Sequence, residues 1–307
     1  MGTVFAIGEI VFDIIFSNNI PVAAKAGGST LNTAVSMGRC GIPVELISET
    51  GDDHVADIIT DFLNKNGVKT QYIQRYENLK TPVALAFLDS GNNAHYSFYK
   101  QFPEERLTLN FPKVTEKDAV LFGSSFAITG DIREKLQDFV TYADNEGALI
   151  LYDPNFRTPH LNELEMVRPW ILENISMSDI VRGSDEDFLN IFGVKNSTDA
   201  YRVIRETGHA VLIYTKNSAG VELVSENGSF ELPVPILTPV STIGAGDTFN
   251  GGILFSLMNK GITKKDLGTF TRMDWENVLN WGIRFSSEVC LSYDNYISGS
   301  LAKKTTK

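Results

Sequence analysis

From residue 119 onward the chain alternates short apolar, β-branched runs with amphipathic stretches, and that rhythm restricts the architectures open to it. Strand-like segments fall at 119–122, 148–152, 179–182 and 210–214. Between them, apolar spacing predicts helices over 132–143 and 161–172 and short helices reaching 205. A hairpin is expected from 221–224 and 229–232. Strands alternating with helices form parallel β units covered on both faces, so the expected class is α/β. Ligands of such sheets bind beyond the carboxyl ends of the strands. Three polar clusters fall there: Asp153, Asn155 and Arg157; Ser184 with Asp185, Glu186 and Asp187; and Thr215, Lys216 and Asn217.

The first third reads differently. Residues 4–7 form a buried strand ending at Gly8, and 10–16 a second run whose one charge is Asp13. A carboxylate in an apolar run is costly without a partner. Asp13 is therefore either a satisfied turn or edge residue or an acceptor for ligand hydroxyls. A strand at 44–48 precedes an amphipathic helix at 55–64. Residues 70–100 alternate without helical spacing and read as a small antiparallel β-insertion, with a turn at Gly91, Asn92 and Asn93. Tyr96, Phe98 and Tyr99 near its end either pack internally, cover a ligand or pair with a second copy. A helix at 275–291 reads as core, and Lys303, Lys304 and Lys307 as a solvated tail.

Two glycine-rich turns open directly into helices. In the later one, Gly244, Ala245, Gly246 and Asp247 precede a helix with Phe249, Ile253, Leu254, Leu257 and Met258 on one side. The first N–H groups of a helix lack intrahelical partners and favour negative charge, so this turn is a candidate anion site. Asp247 among those groups is either an N-cap or a general base beside an oxyanion cradle, and the stretch alone favours neither. The earlier turn carries Gly27, Gly28 and Asn32; an amide that both donates and accepts suits a polyol. Arg157 offers a permanent positive charge for a phosphate, or a surface ion pair. The acidic run at 185–187 suits a helix N-terminus, or Mg2+ held through water.

What is missing narrows the chemistry. A net charge of -11 over 307 residues argues against nucleic acid or an anionic membrane as main partner. Cys40 and Cys290 are too few for a disulfide framework or zinc site, no apolar run is long enough to span a membrane, and residues 1–16 lack the pattern of a cleaved signal; a cytoplasmic address is expected. GxxxxGK[ST], an early GxGxxG, HExxH and GxSxG are all absent, which leaves phosphoryl transfer without a P-loop.

The residues now carry a resemblance. Gly244-Ala245-Gly246-Asp247 with Phe249, Asn250 and Gly251, preceded some two hundred residues earlier by Gly27, Gly28, Asn32 and then Gly51-Asp52-Asp53, resembles the PfkB, or ribokinase-like, carbohydrate kinases over nearly the whole chain. Residues 152–157 look most like fructokinases. The resemblance implies a single kinase domain over 1–307, a three-layer α/β/α fold with a mainly parallel sheet, and a β lid from segments about 10–25 and 70–100. It implies ATP-dependent phosphorylation of a sugar hydroxyl: fructose first, with 2-keto-3-deoxygluconate, ribose or a nucleoside as alternatives, and a non-catalytic sugar-binding regulator as the reading outside enzymes. Asp247 would be the base and Gly244, Ala245 and Gly246 the anion hole. Asp13, Gly28 and Asn32 would meet sugar hydroxyls, with Lys100, Asn155 and Arg157 around sugar and phosphates. Ser184, Thr215, Asn217, Gly220 and Ser287 would lie on the ATP side, with Asp187 toward Mg2+. Ser241 and Thr242 stand where the family holds a monovalent cation such as K+, though Ser241 replaces its usual carboxylate. A homodimer through the lid is the implied assembly.

Overall fold

The computed structural model describes residues 1–88 and 94–305, so the turn expected at Gly91, Asn92 and Asn93, and Lys307, lie outside the described residues. The strands of a nine-stranded sheet run from one edge to the other in the order Gly228–Leu232, Val221–Ser225, Val211–Thr215, Ile180–Ser184, Leu149–Asp153, Ala119–Gly123, Val4–Ile7, Val44–Gly51 and Val68–Tyr76. The seven from Val211–Thr215 to Val68–Tyr76 pair in parallel, and the 221–232 hairpin extends them antiparallel.

Successive side chains in a strand point to opposite faces. Thus Val4 and Ala6 enter one core layer and Phe5 and Ile7 the other. On the first face lie the helices Ser29–Arg39, His54–Lys65, Ala245–Asn259 and Arg272–Val289, which contribute Leu31, Leu63, Ile253 and Leu279. Arg133–Asn145, Leu164–Ser176, Asp185–Phe192 and Ser197–Thr207 cover the second with Leu136, Ile171, Phe188 and Ile204. The result is the expected three-layer α/β/α arrangement.

A second sheet, ordered Ile20–Gly27, Val11–Ser17, Val83–Leu88, Ala94–Tyr99, rises from the carboxyl end of Val4–Ile7. Its central pair is parallel, and only its outer pairs are antiparallel. The expected single insertion over 70–100 is corrected here: Val68–Tyr76 instead closes the edge of the large sheet beside Val44–Gly51. Tyr72 packs, partly buried, against one core layer and Ile73 against the other, while Lys69, Gln71 and Arg75 stay exposed as on an edge strand.

Two further expectations change. Residues 248–258 of the Ala245 helix are all buried, so this helix has no solvent face. Its neighbours reach it at two glycines: a Cβ on Gly251 would meet the Ser36 Cβ at 3.4 Å, and one on Gly252 would lie 2.3 Å from the Trp281 carbonyl oxygen. The C-terminal segment is not wholly a solvated tail. Gly299–Thr305 is helical and buries Leu301 and Ala302, while Lys303 and Lys304 remain exposed.

Candidate active site

Both glycine turns meet at one point. Gly28 precedes the Ser29 helix with φ 133°, and a Cβ there would lie 2.1 Å from the Glu9 carbonyl oxygen, so only glycine lets the chain pass. Gly244, with φ 80°, caps the Ala245 helix. Asp247 is consequently inside the helix rather than at its cap, and no side chain caps that end. Its carboxylate turns instead to the other helix, accepting from Ser29 Oγ at 2.6 Å and Asn32 Nδ2 at 2.9 Å. Thr33 Oγ1 donates to the Asp247 carbonyl oxygen at 2.7 Å, which fixes the two helix ends together. Burial raises the Asp247 pKa, the Asn32 and Ser29 donors pull it down, and the nearby Asp153 charge raises it further.

Among the described residues, the N–H groups of Gly244, Gly246 and Asp247 have no protein acceptor, whereas that of Ala245 donates to the Thr242 carbonyl oxygen at 3.2 Å. The turn can therefore offer an anion three N–H groups, and Ala245 contributes its small side chain more than its amide. Beneath the turn lies Arg182, 7% exposed, with Nη1 2.7 Å from where a Gly246 Cβ would be. Its fork donates to Asp153 Oδ2 at 3.0 Å and Thr215 Oγ1 at 2.8 Å, and Asn250 Nδ2 donates to the same Asp153 oxygen at 2.6 Å. Buried charges require such partners. Asp153 Oδ1 takes the N–H of Asn155, whose φ of 40° turns the chain at the strand end.

A cavity of about 500 Å3 opens from this turn toward the strand ends. Arg157, Ser184, Asp187, Thr215, Asn217, Thr242, Ala245, Gly246 and Ser287 line it, and so do Arg182, Glu186 and Phe249. Arg157 is exposed and forms no ion pair among the described residues. Gly220 is not at the wall: it is buried, with φ 115°, and its carbonyl accepts the Lys216 N–H at 2.9 Å, so it shapes the loop that presents Asn217. Asp187 is spoken for as well. Its oxygens accept from the Ser184 N–H, the Ser184 hydroxyl and the Phe156 N–H at 2.6–2.7 Å, forming a capping box that also pins the 154–156 turn. A metal ion would reach it only through water, and the exposed Glu186 is the more accessible carboxylate. Ser241 Oγ accepts the Ile243 N–H at 3.2 Å and the Thr242 carbonyl takes the Ala245 N–H, so each of these oxygens already accepts one hydrogen bond within the turn.

The small sheet roofs the other side. Asp13 sits on its Val11–Ser17 strand, and a Cβ on Gly27 would lie 2.3 Å from Asp13 Oδ2. Burial raises the Asp13 pKa to about 6, Lys25 opposes the shift, and Glu9 adds to it. Lys100 reaches back across the opening to pair with Glu9 at 2.6 Å. Asn32 Oδ1 is buried without a partner, an acceptor left available beside Asp247.

Ser29 and Arg182 escaped the sequence reading, and Asp153 and Asn250 were singled out there without a role. Arg182 carried the clearest signal, a charge in the middle of an otherwise apolar strand, which a buried position tolerates only with fixed partners.

An acid at the head of a helix, open N–H groups beside it, and a cavity with an arginine floor at the strand ends define a class of phosphate-handling α/β protein. The model of the pfkB family carbohydrate kinases matches residues 2–298, and the chain belongs to that family; it is a phosphotransferase. The chain is 30% identical over 263 residues to a fructokinase of Rhizobium leguminosarum bv. trifolii, covering 83% of this chain and 78% of the relative. Its fold matches an aminoimidazole riboside kinase from Salmonella enterica complexed with aminoimidazole riboside and an ATP analogue, with a TM-score of 0.84, 19% identity and 99% of each chain covered. It likewise matches a fructokinase from Vibrio cholerae O395 in a fructose-, ADP- and calcium-bound form, with a TM-score of 0.85, 16% identity, and 100% of this chain and 99% of the other covered. The architecture is thus the ribokinase-like fold.

Proposed function

We propose that the protein is an ATP-dependent fructokinase in which Asp247 is the general base. The observation that carries the reading is the Asp247 carboxylate, gripped by Ser29 and Asn32 and set within one helical turn of the open N–H groups. A primary hydroxyl of the sugar gives its proton to Asp247 as its oxygen bonds to the γ-phosphorus. The bond from that phosphorus to the β,γ-bridging oxygen breaks, and ADP leaves with the electron pair. Charge developing on the transferring group is met by the N–H groups of Gly244, Gly246 and Asp247 and by Arg157, with Arg182 beneath. Asp13, the Gly28 turn and Asn32 Oδ1 take the sugar hydroxyls; Ser184, Thr215, Asn217 and Ser287 border the nucleotide. Mg2+ bound with ATP would neutralise phosphate charge, and Glu186 and Asp187 would meet it through water. No step is assigned to K+.

The choice of fructose rests on the fructokinase relative together with residues 152–157. A riboside acceptor is the second reading, favoured by the fold match to the aminoimidazole riboside kinase. A reducing cytoplasmic setting belongs to the same reading, since Cys40 and Cys290 are free thiols whose pKa values burial raises. ADP release with MgATP and fructose, ribose, 2-keto-3-deoxygluconate, adenosine or aminoimidazole riboside tests the substrate. Asp247→Asn is expected to lower kcat by about two to four orders of magnitude while sugar binding by calorimetry persists. Near-normal turnover in that variant would overturn the base assignment.

A further inference from the structure

The loop from Cys290 to Ile297 touches the chain leading into the anion turn, the turn itself and the Ser29 helix. At its start the Cys290 carbonyl oxygen accepts the N–H groups of Val240 and Ser241 at 2.8 and 3.4 Å, so it holds the strand of chain leading into the anion turn. Further on, the buried Asn295 lies directly against that turn: a Cβ on Gly244 would be 2.6 Å from the Asn295 carbonyl oxygen and 2.8 Å from its Cα. At its end, the Ile297 N–H donates to Ser36 Oγ on the Ser29 helix at 3.3 Å. Any shift of this loop therefore moves Gly244, whose φ of 80° already restricts the turn.

One side chain from the small sheet grips the same loop. Lys25 Nζ donates to the Tyr293 carbonyl oxygen at 2.9 Å and to Asn295 Oδ1 at 3.0 Å, across 268 and 270 residues of sequence. Lys25 is also the cross-strand partner of Asp13, and the charges of Asp13 and Asp294 both act on its ammonium. The ammonium thus stands between an acid on the sugar side and the loop that backs the anion turn. We propose that Lys25 is a positioning residue that couples the seat of the small sheet to the geometry of the N–H groups at Gly244–Asp247. With the sheet seated, the loop is clamped and the turn keeps the shape that meets a transferring phosphoryl group. With Lys25 removed, Asn295 loses its tether and the turn its backing.

This rests on the phosphoryl-transfer reading above, and the test separates the two. Lys25→Met and Lys25→Arg are compared with the wild type by steady-state kinetics with MgATP and the preferred sugar, and by amide hydrogen exchange. Lys25→Met is expected to lower kcat about tenfold or more, with KM for ATP within about threefold, because the turn acts on charge that appears only in the transition state. Exchange is expected to rise about tenfold at 291–297 and, more than forty residues away in sequence, at 242–247. Lys25→Arg, which keeps a donor and the charge, is expected to recover most of both. Turnover of Lys25→Met within about twofold of wild type, or exchange that rises at 291–297 alone, overturns the proposal. Should the wild type phosphorylate none of the sugars, the substrate reading fails, and the exchange arm still decides whether Lys25 holds the turn.

Discussion

The proton affinity of Asp247 is the outcome of opposed influences. Burial pushes its pKa up; the hydrogen bonds from Asn32 and Ser29 stabilise the charged form and push it down. A base must be unprotonated to act, so turnover is expected to fall on the acid side, at a pH above that of an ordinary carboxylate. In Ser29→Ala one stabilising donor is gone, the pKa rises further, and the acid limb of the pH–kcat profile moves to higher pH. Activity on that acid limb drops while activity on the plateau at higher pH changes little. A profile that does not move, measured from pH 5 to 9, would mean that Ser29 only ties the helices together. That Asp247 stands beside a glycine turn at a helix N-terminus was legible, because residue types and order along one short stretch are enough to give it. Ser29 and Arg182 were not, because their roles depend on partners 218 residues away in one case and on two neighbouring strand ends in the other.

Elements were legible where one period dominated. The alternation after residue 119 gives every strand of that half to within a residue or two; the four parallel ones are buried along nearly their whole length and flanked by helices, and the 221–232 hairpin shows by its short turn. Pairing partners were hidden in the Val68–Tyr76 strand, because alternation reports which way side chains point and not which sheet receives them. In the Ala245 helix the apolar side was legible but its full burial was not, because Gly251 and Gly252 are where two helices press upon it. Gly252→Ala would place a Cβ 2.3 Å from a backbone oxygen of the Arg272–Val289 helix, which cannot rotate aside. The expected cost is about 2 kcal/mol or more of stability, read as a lower urea midpoint at unchanged slope. A variant as stable as wild type would mean that this helix pair is free to part.

Across the whole molecule, the outer strands of the small sheet leave Ile20, Val22, Tyr96, Phe98 and Tyr99 between 46% and 63% exposed. Tyr96 and Phe98 stack on each other at 5.6 Å, and the Lys100 ammonium lies 4.8 Å from the centre of the Phe98 ring. Such surface favours a second copy set against it, sheet to sheet. Light scattering at micromolar concentration is expected to give twice the mass of one chain, and Phe98→Asp the mass of one; a wild type that stays monomeric on dilution from high concentration would remove the pairing. The junction of the Ser29 and Ala245 helices has another consequence, in time. The hydroxyl of Ser29 and the carboxylate of Asp247 are 218 residues apart, so a ribosome adding about 5–20 residues per second finishes the first some 10–40 seconds before the second exists. On the proposed assignment of Asp247 as the base, a product cut short before residue 247 is expected to leave the cell's ATP unspent, which an ADP-release assay on residues 1–246 reads directly.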